Sequence, residues 1–201
     1  MTIVRLAPDN LKAASAALAR AFEDDPLQRY VFPDPVERAE LSPAHFELVL
    51  KYGLLFGEVF ATERCPSGTV VLLPPGSTDV TEERAAAAGL DQLPASIGES
   101  AANRFGSVLG YLEPFHNNDV PEPHWYVMVV GVEPAARGLG LGRQLLHPML
   151  SRARDEGHPC YLETAQPDNV PFYEHLGFRV VRHVVEPESG LPLWTFRWDA
   201  A

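Results

Sequence analysis

The chain has 201 residues, 46% hydrophobic and 21% charged, which is enough apolar material for one substantial core and excludes a disordered polymer. A formal net charge of −11 argues against a nucleic-acid partner, which would call for a basic face. No apolar run reaches the ~20 residues that span a bilayer, and the first residues, Met1 to Leu6, lack the apolar stretch and cleavage site of a secretory signal. No membrane contact is therefore expected, and a cytoplasmic location is the default. Cys65 and Cys160 are expected to be reduced, the second buried in an apolar strand. The seven histidines show no ligand spacing, so no metal site is expected.

In chain order, a strand at Ile3–Leu6 precedes a helix capped by Asp9 or Asn10 and running to about Phe22. Asp24-Asp25-Pro26 ends that helix, because a residue before proline is biased away from the helical region. A proline-marked turn, Phe32 to Pro35, leads to a second helix at about Pro43 to Leu55. Glu58–Arg64 and Gly68–Leu73 read as a hairpin. Thr81 starts a short helix that Gly89 stops, and a further helix runs from Pro94 or Ala95 to Tyr111. Glu113–Pro123, with three prolines, reads as an irregular surface connection. Strands are expected at Trp125–Val132, Pro159–Glu163, Arg179–Val185 and Leu193–Trp198, within one α/β domain covering residues 1–201.

The segment between the first two of those strands carries chemistry. Arg137-Gly138-Leu139-Gly140-Leu141-Gly142-Arg143 joins a strand to a helix whose apolar face is Leu141, Leu145, Met149 and Ala153. Glycines let the backbone lie close against a ligand, and the first N–H groups of a helix point outward with the positive end of its dipole. Such a turn suits a pyrophosphate, and Arg137 and Arg143 add charge-assisted donors. The third glycine of a dinucleotide fingerprint is absent, since position 143 is Arg, and no Gly-Lys-Ser/Thr of a P-loop follows. Pro148 is expected to kink or break the helix and Gly157 to close it. Asp168 or Asn169 caps a further short helix, on which Asn169 and Tyr173 share a face.

The segment from His124 to Val181, with Val130-Gly131-Val132-Glu133-Pro134, the Arg137–Gly142 turn and Phe172-Tyr173-Glu174-His175-Leu176-Gly177-Phe178, resembles the GNAT superfamily of N-acetyltransferases. Within it the likeness is strongest to the puromycin N-acetyltransferase group, through Trp125, Leu162-Glu163-Thr164, Pro171 to Glu174 and Pro148. Weaker likeness lies at Val4 to Ala7, Ala21 to Pro26 and Phe32 to Asp34. The resemblance implies an α/β (α+β) fold. Its mixed, mostly antiparallel central sheet would be flanked by helices, with fourth and fifth strands splayed apart and a cofactor-binding core at about 124–185. It also implies acetyl-CoA as cofactor. Val130, Gly131 and Val132 would hold the pantetheine arm, Gly138, Leu139, Gly140, Leu141, Gly142 and Arg143 with Arg137 would hold the pyrophosphate, and Asn169 would contact the arm. Tyr173 would stand beside the thioester sulfur.

The expected reaction is direct attack of a primary amine on the thioester, with Tyr173 as proton donor to the leaving thiolate. The strand Trp125–Val132 holds no acid, which leaves Glu163, His124 and Asp25 as candidate bases. A site poor in base suits a low-pKa amine: an α-amine at ~7.7 is partly neutral at physiological pH, whereas a lysine amine at ~10.4 is almost wholly charged. Phe22, Asp25, Tyr30, Phe115, His124 and Trp125 are the candidates for the acceptor pocket. The expected acceptor is a small-molecule amine such as an aminonucleoside or other antibiotic. The alternatives are a peptide or protein N-terminus, or acyl-CoA binding without catalysis. A monomer or homodimer is expected.

Overall fold

Alternating apolar residues pair into one seven-stranded sheet in the computed structural model, which describes residues 1–63 and 66–200. The strands are β1 (Ile3–Arg5), β2 (Glu58–Thr62), β3 (Gly68–Leu73), β4 (Trp125–Val132), β5 (Cys160–Thr164), β6 (Arg179–Val185) and β7 (Pro192–Trp198). They lie in the order β1-β2-β3-β4-β5-β7-β6, antiparallel throughout except for β4 beside β5. The mixed, mostly antiparallel sheet is the expected one. Arg64 and Cys65, at the end of the expected hairpin strand, lie outside the described residues.

Among the described residues there are eight α-helices: α1 (Leu11–Ala21), α2 (Pro26–Val31), α3 (Pro35–Phe56), α4 (Glu82–Ala88), α5 (Leu93–Ile97), α6 (Glu99–Asp119), α7 (Leu141–Glu156) and α8 (Val170–His175). Helix α7 covers one face of the sheet, where Leu145, Leu146 and Met149 meet Val70, Trp125, Leu162 and Phe196. On the other face α1 and α3 pack Leu18, Phe46 and Leu50 against Val59 and Val71. Helix α6 lays Val108 and Leu112 against Ala165 and Leu193, at the β5–β7 end.

Prolines account for most departures from the expected elements. Asp25 does not simply end α1; it caps α2, its Oδ1 accepting from Leu27 N at 2.9 Å and Gln28 N at 3.2 Å. Asp34 does the same for α3, which therefore starts eight residues earlier than expected. An aspartate followed by proline at the first helical position is a start signal: the missing N–H is one that no helix uses, and φ is already set. Pro43, Pro114 and Pro148 all sit inside continuous helices, so Glu113–Asp119 is helix where an irregular connection was expected, and α7 runs through Pro148 unbroken. The caps expected from Asn10 and Asn169 make no side-chain bond to their helices.

Two irregularities in β4 prepare the site. Val71 faces Val129 and Leu72 faces Val127, so Met128 is an extra residue, a β-bulge. Trp125 and Val127 face α7 before it; after it, Val130 and Val132 do. Beside β5, pairing is limited to Trp125 with Cys160 and Tyr126 with Tyr161, after which the two strands part. This is the splay that was expected.

Replacing Asp34 by Ala removes acceptors for Val36 N (2.8 Å) and Glu37 N (3.0 Å). The expected cost is about 1 kcal/mol, read as a lower urea midpoint with an unchanged slope. An unchanged midpoint would show that this cap does not hold the start of α3.

Candidate active site

The N-cap of helix α7 is Gly140, a residue with no side chain to cap it, and the first bond of the helix is Gln144 N to Gly140 O at 3.1 Å. The N–H groups of Leu141, Gly142 and Arg143 thus have no helical acceptor, which is the electrostatic requirement for an anion at a helix start. Gly138 and Gly140 adopt φ of +78° and +72°, the left-handed region that a glycine enters without strain. A Cβ on Gly138 would meet nothing within 4 Å, so the turn opens onto free space. Gly142 has a different duty: its Cβ would lie 2.9 Å from Phe172 Cζ, so its absence lets α8 pack on α7. Gly131 likewise admits α1, since a Cβ there would stand 2.8 Å from Leu18 Cδ2 and Phe22 Cε2.

Two clefts occupy the gap where β4 and β5 part. The outer, about 580 Å³, runs along the turn from Gly138 to Arg143 to the β4 edge at Val130, Gly131 and Val132. The inner, about 220 Å³, lies between the strands and α2, α3 and α6, and is lined largely by apolar side chains including Phe46, Phe105 and Leu112. Phe22, Asp25, Val130, Asn169 and Tyr173 border both clefts and form the neck between them. Asn169 reaches this neck because its amide donates to Thr164 Oγ1 (3.2 Å) and not to its helix. Arg143 lines the outer cleft, while Arg137 spends donors on the carbonyls of Ala21 (2.8 Å) and Val132 (3.3 Å), tying α1 to the end of β4. Leu139 is 59% exposed at the tip of the turn.

The polar groups of the inner cleft are tuned by burial. Desolvation pushes the Glu163 carboxyl up to about 8; Asp119 adds to this, and a hydrogen bond with Tyr126 opposes it. Burial raises Asp25 to about 6 against the two backbone N–H bonds it accepts, both of them on Oδ1, so Oδ2 takes part in neither. The Tyr173 phenol is pushed well above its ordinary range by burial and then by the Asp25 carboxylate, so it stays protonated. His45, which the sequence reading missed, lines the inner cleft as a neutral imidazole held down to about 4 by burial, with Gln28 Nε2 3.2 Å from its Nδ1. His116, a neutral imidazole whose Nδ1 lies 3.8 Å from Glu163 Oε1, was also missed; nothing in its sequence spacing signals a site.

Four of the six pocket candidates lie elsewhere. Trp125 is 1% exposed on the α7 face, its Nε1 donating to Glu156 and the Arg152 guanidinium over its ring, so the residue that starts β4 points away from the cleft. Tyr30 and Phe115 pack against the α6 cluster, and Arg182 covers the Phe115 ring. His124 is buried behind the cleft against His116. Phe22 and Asp25 do line it. Cys160 is buried in the core with its thiol pushed up to about 12 by desolvation, so no acyl group would be carried there.

A strand edge without a neighbour, an uncapped helix start and a donor-lined cleft ending at a tyrosine are the parts that an acyl-thioester site requires. A model of the acetyltransferase (GNAT) family matches residues 64–178. The chain belongs to this family. Over 184 residues it is 29% identical to an uncharacterized N-acetyltransferase of Schizosaccharomyces pombe, covering 89% of this chain and 74% of the yeast protein. Over 99 residues it is 32% identical to the N-alpha-acetyltransferase RimI of Mycobacterium tuberculosis, covering 47% of this chain and 61% of that protein. The crystal structure of histone acetyltransferase HPA2 and related acetyltransferase from Corynebacterium glutamicum shares the fold at a TM-score of 0.72 and 22% identity, covering 100% of this chain and 96% of that one. As a GNAT acetyltransferase the chain is an enzyme of acetyl transfer to amines. No helix among the described residues is long and apolar enough to cross a membrane.

The shift at Glu163 predicts a stability effect with a definite sign. The folded state keeps this proton up to about pH 8, whereas an unfolded glutamate releases it near 4.5. Between those values the folded state binds more protons, so the contribution of Glu163 to stability falls as pH rises. Glu163→Gln is therefore expected to gain about 3–4 kcal/mol relative to the wild type between pH ~5 and pH ~8, at up to 1.4 per pH unit. Urea unfolding at both ends checks it; parallel curves for the two proteins would place the shift elsewhere.

Proposed function

We propose that the chain transfers an acetyl group from acetyl-CoA to the primary amine of a compact, largely apolar small molecule by direct attack. The observation that carries this reading is the meeting of the two clefts at one neck: a donor-lined channel on one side, a small apolar chamber with two carboxylates on the other. Acetyl-CoA supplies an acyl thioester whose thiolate leaves. The open N–H groups of Leu141, Gly142 and Arg143, with the Arg143 side chain, take its pyrophosphate. The free β4 edge at Val130 to Val132 bonds its amide arm, and one backbone N–H there stabilises the developing oxyanion. Asn169 holds the arm at the neck.

Asp25 Oδ2 receives the incoming ammonium. Glu163 takes its proton, since a base near 8 is better matched to an amine than an ordinary carboxylate. The nitrogen lone pair forms the new C–N bond as the C–S bond breaks. Tyr173 then faces the sulfur. Its phenol lies above a thiol of ~8.5, so full proton transfer is uphill and its contribution is a hydrogen bond to the developing thiolate. This modifies the general-acid role expected from the sequence.

The volume of the inner cleft bears on the acceptor. About 220 Å³ is below the ~300 Å³ at which pockets begin to bury drug-sized ligands, which supports a compact amine over a whole aminonucleoside such as puromycin. Likeness to an N-alpha-acetyltransferase over 47% of the chain supports a second reading, a peptide α-amine entering by its first residue.

Coenzyme A release with 2-phenylethylamine, puromycin and a basic peptide separates these readings. The amine is expected to turn over fastest, and activity confined to the peptide would overturn the small-molecule reading. Tyr173→Phe should retain coenzyme A affinity by calorimetry and lose about 10²-fold or more in kcat. In the wild type kcat should fall as pH drops below about 8, where Glu163 becomes protonated. Glu163→Gln should be slow and lack that limb, while Asp25→Asn should mainly raise the acceptor KM. The reverse pattern would exchange the two roles.

A further inference from the structure

One buried polar side chain of the inner cleft takes no part in the proposed acetyl transfer. His45, on α3, lines the cleft at 2% exposure, with Gln28 of α2 beside it. Ser42 Oγ donates to Gln28 Oε1 at 3.0 Å, which turns the amide nitrogen of Gln28 toward His45. That nitrogen can only donate, so His45 Nδ1, 3.2 Å away, accepts and the ring hydrogen lies on Nε2. Burial holds the pKa of the imidazole down to about 4, so the ring is neutral and carries this one hydrogen. Among the described residues Nε2 finds no hydrogen-bond partner. The ring lies against Phe46 (centroids 5.0 Å, 28°) and edgewise to Phe105 (4.5 Å, 70°), and an aromatic face is a weak acceptor. A buried N–H left unpaired is costly, and folded proteins seldom keep one without a use.

Its place in the cleft suggests the use. Asp25 borders both clefts, whereas Gln28 and His45 border only the inner one. Gln28 stands one turn beyond Asp25 on α2, its backbone N–H donating to Asp25 Oδ1 at 3.2 Å. One short helix thus sets the spacing between the carboxylate at the neck and the imidazole within. We propose that His45 is a specificity-determining residue whose Nε2–H binds an uncharged oxygen (ether, carbonyl or hydroxyl) at the end of the acceptor remote from its amine. The proposal rests on the reading of the inner cleft as the acceptor chamber. Three other classes of amine suit that donor poorly. A hydrocarbon amine leaves the N–H unpaired. A diamine or guanidine brings only donors to a donor. A carboxylate there would be stripped of water among Phe46, Phe105 and Leu112 beside a neutral ring, and repelled by Asp25 and Glu163 in the same cleft.

Coenzyme A release tests this with ω-methoxyalkylamines, n-alkylamines of equal chain length and 1,4-diaminobutane. At the best-fitting length the ether should exceed its hydrocarbon match about tenfold or more in kcat/KM, mainly through KM. His45→Phe keeps an aromatic ring beside Phe46 and Phe105 but removes the donor; it should abolish the preference by raising KM for the ether. His45→Gln, whose amide keeps a donor, should restore part of it. A wild type that favours the alkylamine or the diamine at every length overturns the proposal, as does a folded His45→Phe with the preference intact. Nitrogen-15 NMR of the wild type gives an answer even where the variants fail to fold. His45 should be the Nε2–H tautomer, and its Nε2 resonance should move further with a methoxyalkylamine plus coenzyme A than with the matching alkylamine. An Nδ1–H tautomer, or equal or absent shifts across the series, overturns the proposal. If no amine of the series turns over, the small-molecule acceptor reading falls, and the His45 resonance still decides whether the oxygen is bound.

Discussion

Beyond Tyr126 the edge of β4 has no strand beside it, and each backbone group left buried without a partner costs on the order of 1–3 kcal/mol. A sheet normally avoids that by continuing its ladder. Here β4 and β5 separate after two paired residues, and both clefts occupy the resulting wedge. The bulge at Met128 turns β4 in the same region and moves Val130 and Val132 onto the α7 side. The absent side chain of Gly131 brings α1 up to the strand, and with it Phe22 and, just beyond the helix, Asp25. One interruption of the sheet thus creates both the hydrogen-bonding edge and the space that a ligand on that edge requires.

The two clefts are electrostatic opposites. The outer brings helix-start N–H groups and Arg143 to one end of a lining that also holds Asp24, Asp25 and Asp168; at physiological salt exposed charges beyond ~8 Å are screened, so the overall charge of −11 counts for less there than these near groups. The inner is apolar enough to hold Glu163 neutral near physiological pH and to keep His45 uncharged. Dry surroundings that raise a carboxyl also make it a stronger base once it ionises, so the same desolvation that costs folding free energy at high pH suits Glu163 to its proposed task.

Much of this was legible in the chain. Strand β4, the glycine turn, helix α7 and its closure at Gly157 read directly, because period-2 and period-3.6 patterns and left-handed glycines are local features. Proline misled in both directions. Asp25-Pro26 and Asp34-Pro35 begin helices, and Pro114 lies within α6, where packing of Val108 and Leu112 on the sheet outweighs a lost backbone bond. Reading residues 113–119 as a loop removed His116 from consideration, since a loop histidine has no set direction and a helical one does. Trp125 illustrates a different limit: a strand residue has two possible faces, and alternation alone cannot say which one meets the ligand.

The sequence by itself determined the parts that depend on near neighbours: the turn that leaves a helix start uncapped, the face shared by Asn169 and Tyr173, the hairpin of β2 and β3, and a family resemblance carried by contiguous motifs. Tertiary structure alone decided what those parts enclose. Asp25 and Glu163 come from stretches of chain far apart in sequence, and their protonation is set by burial and by the groups the fold places beside them. Desolvation and proton transfer act through space, and only packing α2, α3 and α6 over the parted strands brings these groups together and takes them out of water.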